Sequence, residues 1–339
     1  MSNPLVTIVL VNWNGIQYLP DCLNSLGKIR YRNTEILFVD NASTDNSVSY
    51  VKKNFPKIRV IQNKVNLGFA EGHEEALKQA KGDSILLLST DTIVEPNVLD
   101  VMVKSLYEKK DIGAVQPKLL ISGENNKIDS IGMFFMTSGW LYHFGRAKDA
   151  ALPRYNVPME IFSAKGACML FKRKVLDCTG LFDKDYFAYF EETDLCHRIW
   201  LSGYRIIYTP HTSVIHKGGG SSGQMMRSYI YFHSYKNRIC TYIKNLSMRY
   251  LPEVLIKTLV SYVVVVFMYV ITGSFSNAAA VMRSVYWNIV NLPKTLEKRK
   301  YIQTEIRRVV DDDFLPRITR KVRLSYYYYL FFDLARYVD

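Results

Sequence analysis

Residues 1–223 predict an α/β domain built on a parallel sheet, and residues 224–339 a mostly helical region attached to it. Three observations carry this. Short apolar runs alternate with helix-like patterns over the first 120 residues. A cluster of polar or turn-forming residues follows each apolar run. Beyond Gly223 the composition shifts toward basic and aromatic residues. A length of 339 residues agrees with two structural units. With 48% hydrophobic and 22% charged residues the chain can bury a sizeable core, which excludes disorder, collagen and disulfide-scaffold classes.

The first strand is read at Leu5–Val11, and Ile36–Val39 closes a second. Arg59–Ile61 closes a third, and Ser84–Leu88 forms a fourth. Between them Ile16–Leu26, Ser47–Asn54 and Phe69–Ala80 have helical spacing, with Ser43 and Asp45 as N-cap residues for the second helix. Strands alternating with helices of this size imply βαβ units and a parallel sheet. Ligands of such sheets bind beyond the carboxyl ends of the strands. The segments there are Asn12-Trp13-Asn14-Gly15, Asp40 to Asp45, Asn66-Leu67-Gly68-Phe69 and Ser89-Thr90-Asp91. None is a G-x-G-x-x-G or P-loop motif, which removes the main support for dinucleotide binding or ATP hydrolysis. Residues 112–220 read as shorter strands and loops. A helix lies within Phe190–Ser202, a strand near Ile206–Tyr208 and a second short one ending at His216. The run Gly218-Gly219-Gly220-Ser221-Ser222-Gly223 reads as a flexible segment, with a lid as one use.

The net charge of +13 is unevenly spread. Residues 1–216 carry 25 basic and 23 acidic side chains, and residues 217–339 carry 19 and 8. The second part therefore needs an acidic partner, a nucleic acid or an anionic membrane surface. It also holds 14 of the 24 tyrosines, a residue favoured at membrane interfaces. Helical patterns run from Met225 to about Leu246, and Thr258–Met282 is 25 residues without a formal charge. Its apolar heart, Leu259–Ile271, is 13 residues. As a helix that is about 20 Å, short of a hydrocarbon core of about 30 Å. Both flanks are basic, which disfavours a full crossing. A transmembrane helix, a re-entrant or interfacial helix and a buried soluble helix all remain open. Tyr326–Tyr329 reads either as an interface belt or as core.

Cys22, Cys168, Cys178, Cys196 and Cys240 are odd in number and widely spaced, without C-x-x-C. Buried thiols in a reducing compartment are expected. No basic n-region precedes the first apolar run, so the first domain is expected in the cytosol.

Five residues are candidates for chemistry. Asp40 ends an apolar strand, where a carboxylate can accept hydrogen bonds from a uracil or thymine N–H or from ribose hydroxyls; a turn residue capping the next helix has the same signature. Asp91 closely follows Leu86-Leu87-Leu88, a place suited to holding Mg²⁺ or Mn²⁺ together with substrate phosphates, and equally to capping a helix. Glu191 and Glu192 begin a helix, where carboxylates offset the dipole. They point about 100° apart, so one can face a cleft as a general base. His216 ends a β-like run, and neutral imidazole is a common metal ligand; a structural histidine would read the same.

The ordered blocks VNWNG, FVDNASTDNS, NLGFAEG, LLLSTDTIVEP, GACMLFKRKVL, GLFDKDYFAYFEETDLCHRIWLSGYRIIYTP and VIHKGGGSS resemble family 2 glycosyltransferases. More narrowly they resemble the rhamnosyltransferase-like branch of bacterial cell-surface polysaccharide synthesis. The resemblance covers about residues 5–223. It implies a GT-A fold, a nucleotide-diphospho-sugar donor and a divalent cation, Mg²⁺ or Mn²⁺. By the same resemblance Asp40 meets the nucleotide base or ribose, Asn12 and Asn14 flank that pocket, and Asn66 and Gly68 form its edge. Asp91 matches the last position of a D-x-D-like metal motif whose first position is Ser89 in this chain. Glu192 matches the catalytic base, with Glu191 beside it in the substrate site. His216 matches a metal ligand, and Asp183 falls on the acceptor side.

The resemblance further implies a single inverting displacement. No Q-x-x-R-W follows the base, which speaks against processive polymer synthesis. The acceptor implied is a saccharide on a polyprenyl diphosphate, and the donor dTDP-rhamnose or a UDP-sugar. Lys217, Arg227, Lys236 and Arg238 are expected to meet the acceptor diphosphate or lipid headgroups. The expected place of work is the cytoplasmic face of the cell membrane, peripheral or re-entrant, with no nucleic acid partner. A sugar-phosphate nucleotidyltransferase would need a G-x-G-T-R loop after the first strand, which Asn12-Trp13-Asn14-Gly15 does not supply. A nucleic-acid-binding protein would show steeply salt-dependent binding without donor hydrolysis.

Overall fold

A computed structural model describes residues 3–219, 225–332 and 334–337. The first half alternates as expected: β1 (Val6–Asn12), α1 (Leu19–Leu26), β2 (Thr34–Asp40), α2 (Ser47–Asn54), β3 (Arg59–Gln62), α3 (Gly68–Leu77) and β4 (Ser84–Ser89). Then come β5 (Thr92–Val94), α4 (Val98–Tyr107), β6 (Ile112–Ile121) and β7 (Ile128–Ser130). The small strands β8 (Phe134–Phe135), β9 (Leu141–Tyr142) and β10 (Met159–Glu160) lead to β11 (Cys168–Lys172), α5 (Arg173–Thr179), α6 (Glu191–Leu201) and β12 (Arg205–His216). The rest is helical: α7 (Arg227–Asn245), α8 (Leu251–Ile271), α9 (Phe275–Val290), α10 (Leu292–Tyr301), α11 (Asp311–Ile318) and α12 (Leu324–Phe332).

The main sheet runs β10-β12-β6-β11-β4-β1-β2-β3, with β5 on β12 and β7 on β6. Strands β4, β1, β2 and β3 are mutually parallel. β11 lies antiparallel to both β4 and β6, so the sheet is mixed rather than purely parallel. Alternate side chains feed two cores. Ile8, Leu10, Phe38, Leu86 and Leu88 face one layer, while Val9, Leu37, Val39 and Leu87 face the other, the period-two burial of a sheet covered on both sides.

Three boundaries differ from expectation for identifiable reasons. α1 begins at Leu19 rather than Ile16, with Pro20 in its first turn, a position that tolerates the missing N–H. The two strands expected around Ile206–Tyr208 and before His216 are one strand, interrupted in register between Thr209 and Ser213, where Pro210 has no N–H to offer. The uncharged run Thr258–Met282 is two helices. Gly273 turns left-handed at φ 70°, Ser274 N donates to Tyr269 O at 2.7 Å and Gly273 N to Val270 O at 3.1 Å. That pair of bonds closes the end of α8 as a Schellman motif.

The helical region shares the core of the α/β part. Tyr235, Tyr242, Tyr262, Phe314 and Tyr326 are buried in one cluster with Phe135, Phe162 and Trp200, and Trp200 stacks on Phe314 at 5.6 Å. Lys236 and Arg238, expected to face lipid or diphosphate, are buried instead. Lys236 donates to Asp185 O at 2.6 Å, and the Arg238 guanidinium lies 4.0 Å from the Trp140 ring centroid. Within the Tyr326–Tyr329 run, Tyr326 is core and Tyr328 is exposed. Four cysteines are buried as expected, and Cys178 is exposed. Of the expected flexible loop, Gly220–Gly223 lie outside the described residues.

Candidate active site

A cavity of about 280 Å³ opens at the carboxyl ends of β1, β2 and β4, where an open α/β sheet binds its ligands. Asn66, Gly68, Asp91, Glu191, Glu192 and His216 all line it, with Trp13, Asn41, Lys165 and Tyr189. Six of the sequence-derived site residues are therefore brought together from four separate segments.

One wall is the approach of α3 to the loop before α6. Gly68 has φ 73°, and a Cβ there would sit 2.4 Å from Phe187 O. Only glycine lets the two backbones meet, and the contact is sealed by Phe69 N donating to Phe187 O at 2.8 Å. Asn66 Oδ1 accepts from Gly68 N at 2.8 Å and fixes the same turn.

Asn12, Asn14 and Asp40 stand behind this wall rather than on the lining. Asp40 is 2% exposed. Its Oδ1 accepts from Asn12 Nδ2 at 3.2 Å and its Oδ2 from Ser43 N at 3.0 Å. Asn14 Oδ1 accepts from Thr44 N at 2.7 Å. These side chains brace the loops after β1 and β2, and Asn41 takes the surface position beside them. Asp183 is also away from the lining. It is held by Lys244 and Lys298, and these cations outweigh burial and keep its carboxyl well below the usual range.

Sheet register assembles the opposite wall. β5 pairs antiparallel with β12, setting His216 against Thr92 and so beside Asp91. His216 Nε2 lies 3.5 Å from Asp91 Oδ2. Asp91 is not a helix cap, because β5 intervenes and Asn97 precedes α4. β7, paired with β6, brings Asp129 to the other face of the imidazole, with Oδ2 at 2.9 Å from His216 Nδ1. Lys165 Nζ donates to the same carboxylate at 2.6 Å, and Arg146 also pairs with it. Burial, and then Arg146, hold the Lys165 ammonium below the ordinary lysine range. Asp129 and Lys165 escape a reading of the sequence. Asp129 is a lone acid in a three-residue strand, and Lys165 follows no strand end; only the register joins them to His216.

The donor set fits a hard divalent cation. Two ligands on adjacent octahedral positions at about 2.1 Å stand about 3 Å apart, close to the Asp91–His216 separation. Among the described residues no cluster of three His, Cys, Asp or Glu side chains forms; a cation held by Asp91 and His216 would take phosphate oxygens and water at its other positions. Ser89 also lines the cleft.

Glu191 and Glu192 open α6 immediately after Tyr189 and Phe190, both left-handed at φ 69° and 71°. Two consecutive non-glycine residues in that region store strain where the chain turns into the cleft. Glu191 Oε2 and Glu192 Oε2 are buried with no hydrogen-bond partner among the described residues. Burial pushes the Glu192 carboxyl up to about 7, against the pull of Lys165. Burial and the neighbouring Glu192 also push the Glu191 carboxyl well above the ordinary carboxylate range.

Residues 7–180, half of the chain, match glycosyl transferase family 2. The chain belongs to that family. This family 2 glycosyltransferase is 23% identical over 256 residues to the N-acetylglucosaminyl-diphospho-decaprenol L-rhamnosyltransferase of Mycobacterium tuberculosis, covering 68% of this chain and 81% of the relative. Its fold resembles a mannosyltransferase from Pyrobaculum calidifontis in complex with GDP-Man and Mn²⁺, at TM-score 0.54 and 18% identity over 89% of this chain and 86% of that one. It also resembles GalNAc-T7 solved with UDP, GalNAc and Mn²⁺, at TM-score 0.57 and 17% identity over 73% of this chain and 49% of that one. The GT-A fold expected from the motifs is the fold observed.

Proposed function

We propose that this glycosyltransferase moves one sugar from a nucleotide-diphospho-sugar to a saccharide carried on a polyprenyl diphosphate, with inversion, in cell-surface polysaccharide synthesis of the rhamnosyltransferase-like branch. The observation that carries the reading is the Glu192 carboxylate, unpartnered at Oε2, sharing one cleft with the Asp91–His216 pair. Asp91 and His216 would hold Mg²⁺ or Mn²⁺. When bound, that cation supplies positive charge to a diphosphate leaving group.

The chain's own residues do the rest. Asn66 and Asn41, braced from behind by Asp40, Asn12 and Asn14, shape the nucleotide wall. Glu192 accepts the proton of the acceptor hydroxyl, whose oxygen attacks the anomeric carbon from the face opposite the leaving diphosphate. A carboxyl near pH 7 suits a base working at neutral pH. Glu191, whose carboxyl burial and its neighbour push upward, faces the same cleft and would meet the sugar. dTDP-rhamnose is the first donor choice, supported by the mycobacterial relative, and UDP-sugars follow. The cytoplasmic membrane face is the proposed place of work.

The test is a donor screen with Mg²⁺ or Mn²⁺ and a GlcNAc-diphospho-lipid acceptor, reading released nucleoside diphosphate and product mass. One donor should give acceptor-dependent release, with a product one sugar larger. Acceptor-independent release with every donor, or repeated additions, would overturn the single-transfer reading.

A further inference from the structure

The helical hairpin α8–α9 lies outside the cleft and presents a face that nothing among the described residues covers. α8 is 21 residues, long and apolar enough by itself to cross a bilayer, yet only one side of it is buried. Val254, Thr258, Tyr262 and Val265 pack inward. Tyr262 O–H donates to Tyr235 O at 3.1 Å, and Ser261 Oγ accepts from Trp140 Nε1 at 3.0 Å. These bonds fuse the helix lengthwise to a body rich in buried polar groups. Asn288 of α9 is bonded the same way, to Lys236 O at 3.0 Å. A crossing would draw those groups into hydrocarbon, which is prohibitively costly.

The outward side is different. Val260, Val263, Phe267 and Ile271 of α8 are 60%, 70%, 63% and 65% exposed. Their spacing of three and four residues makes one stripe. It continues around the Gly273 turn to Phe275, 66% exposed, and on to Tyr286 of α9. Exposed Lys257 and Arg283 accompany it; Lys257 pairs with Glu253 one turn earlier, and Arg283 makes no ion pair among the described residues. A second copy of the same surface would bring two regions of net +11 together, a like-charge contact. An anionic lipid surface answers both the apolar stripe and the charge.

We infer that the α8–α9 hairpin is a monotopic membrane-docking face, lying in the plane of one anionic leaflet with Val263, Phe267, Ile271 and Phe275 among the acyl chains and Lys257 and Arg283 at headgroup level. The inference adds an anchoring surface to the lipid-linked acceptor of the proposed function, and it rests on that reading only for its purpose. Amphipathic helices of this kind gain affinity from buried apolar area and from anionic lipid together.

The experiment uses the full chain and vesicles of phosphatidylcholine with or without phosphatidylglycerol. Wild type should co-sediment with the anionic vesicles, and the bound protein should redistribute to a second vesicle population. V263E/F267E should bind at least about tenfold more weakly, and R283E should lose much of the preference for phosphatidylglycerol. Sugar transfer to a water-soluble acceptor should be unchanged in all three proteins, so a failed donor assay and a failed vesicle assay report on different claims. Wild-type binding by V263E/F267E, or no vesicle binding by wild type, overturns the proposal. So does bound protein that never redistributes, which would mean a crossing helix. A wild-type dimer that V263E/F267E converts to monomers assigns the face to a second copy and overturns it as well.

Discussion

A carboxylate that removes a proton from a sugar hydroxyl must be ionised when the substrate arrives, and burial works against that. Glu192 resolves the conflict with a carboxyl pushed up to about 7 by desolvation and restrained by Lys165. The base form exists above that value, so the pH profile of kcat/KM should rise through about 7. A profile already flat at pH 5.5 would remove Glu192 from the role. Glu192→Gln keeps shape and loses the base, and should lower kcat by about 10²–10⁴-fold while calorimetric donor binding persists. The sign of linkage gives a control. A carboxyl raised in the folded state destabilises the fold as pH rises through its folded value. E192Q should therefore melt no lower than wild type at pH 8. Asp129 acts through another group. In the tautomer in which Nδ1 carries the proton, His216 donates to Asp129, and Nε2 keeps its lone pair on the side of Asp91. Asp129→Asn should weaken Mn²⁺ binding, read by electron paramagnetic resonance, by about 10–100-fold. Unchanged Mn²⁺ affinity in a folded variant would leave Asp129 a merely structural ion-pair partner.

At the scale of elements, the cleft depends on loops that meet at closest approach. Gly68→Ala places a Cβ against Phe187 O in a backbone conformation that alanine resists. It should lower the melting temperature and weaken donor binding together, since α3 and the Tyr189–Phe190 turn form adjacent walls. Destabilisation of about 1–3 kcal/mol is expected from the strain, measured by denaturant unfolding; an unaffected midpoint would show that the two backbones can separate freely. The same scale decides what the sequence could show. β1, β2 and β4 were legible because they are short apolar runs ending in polar turns; Asp91 and His216 were legible as residues at the ends of such runs, and Glu192 as a carboxylate opening a helix. Asp129 and Lys165 were not, because their role arises from the pairing of β7 with β6 and of β12 with β5, which no local pattern records. The split of α8 from α9 was hidden for a different reason. Thr272, Gly273 and Ser274 carry no charge, so a scan for charge-free stretches runs through a turn that backbone geometry makes decisive. The burial of Lys236 and Arg238 was equally invisible, since a basic residue is ordinarily a solvated one.

On the scale of the whole molecule, the expected boundary near residue 223 is a change of composition and not a break in the core. Buried ion pairs cross it. Lys244 of α7 lies between Asp194 of α6, 3.1 Å away, and Asp183, while Lys298 of α10 holds Asp183 and Asp185. Lys244 is 2% exposed and Asp194 fully buried. This chain of charges fastens the helix that begins with Glu191 and Glu192 to the helices that carry the apolar hairpin, so the placement of the base depends on the C-terminal region. Replacing one buried partner leaves the others uncompensated, which costs about 3–5 kcal/mol. Lys244→Met should therefore lower stability by about that amount, and kcat should fall even well below the new melting temperature. Its pH dependence supplies a signature that simple packing damage would lack. In wild type burial raises both carboxyls, but Lys244 with Lys298 or Arg198 outweighs it and holds Asp183 and Asp194 below the ordinary carboxylate range. Their contribution is present above that range and lost as pH falls below it. Lys244 itself is held above the ordinary lysine range, the two aspartates outweighing its burial, and its contribution lasts until strongly alkaline pH. Without the ammonium, Asp194 keeps Arg198 as its cation and the Asn245 hydrogen bond, and Asp183 keeps Lys298, so burial pulls both carboxyls upward and protonation relieves the fold. Between pH 7 and pH 5 the melting temperature of K244M should rise by more than that of wild type, which the raised Glu192 carboxyl already makes climb over the same range. Equal pH courses for the two proteins would show that the ion-pair chain does not join the two regions energetically.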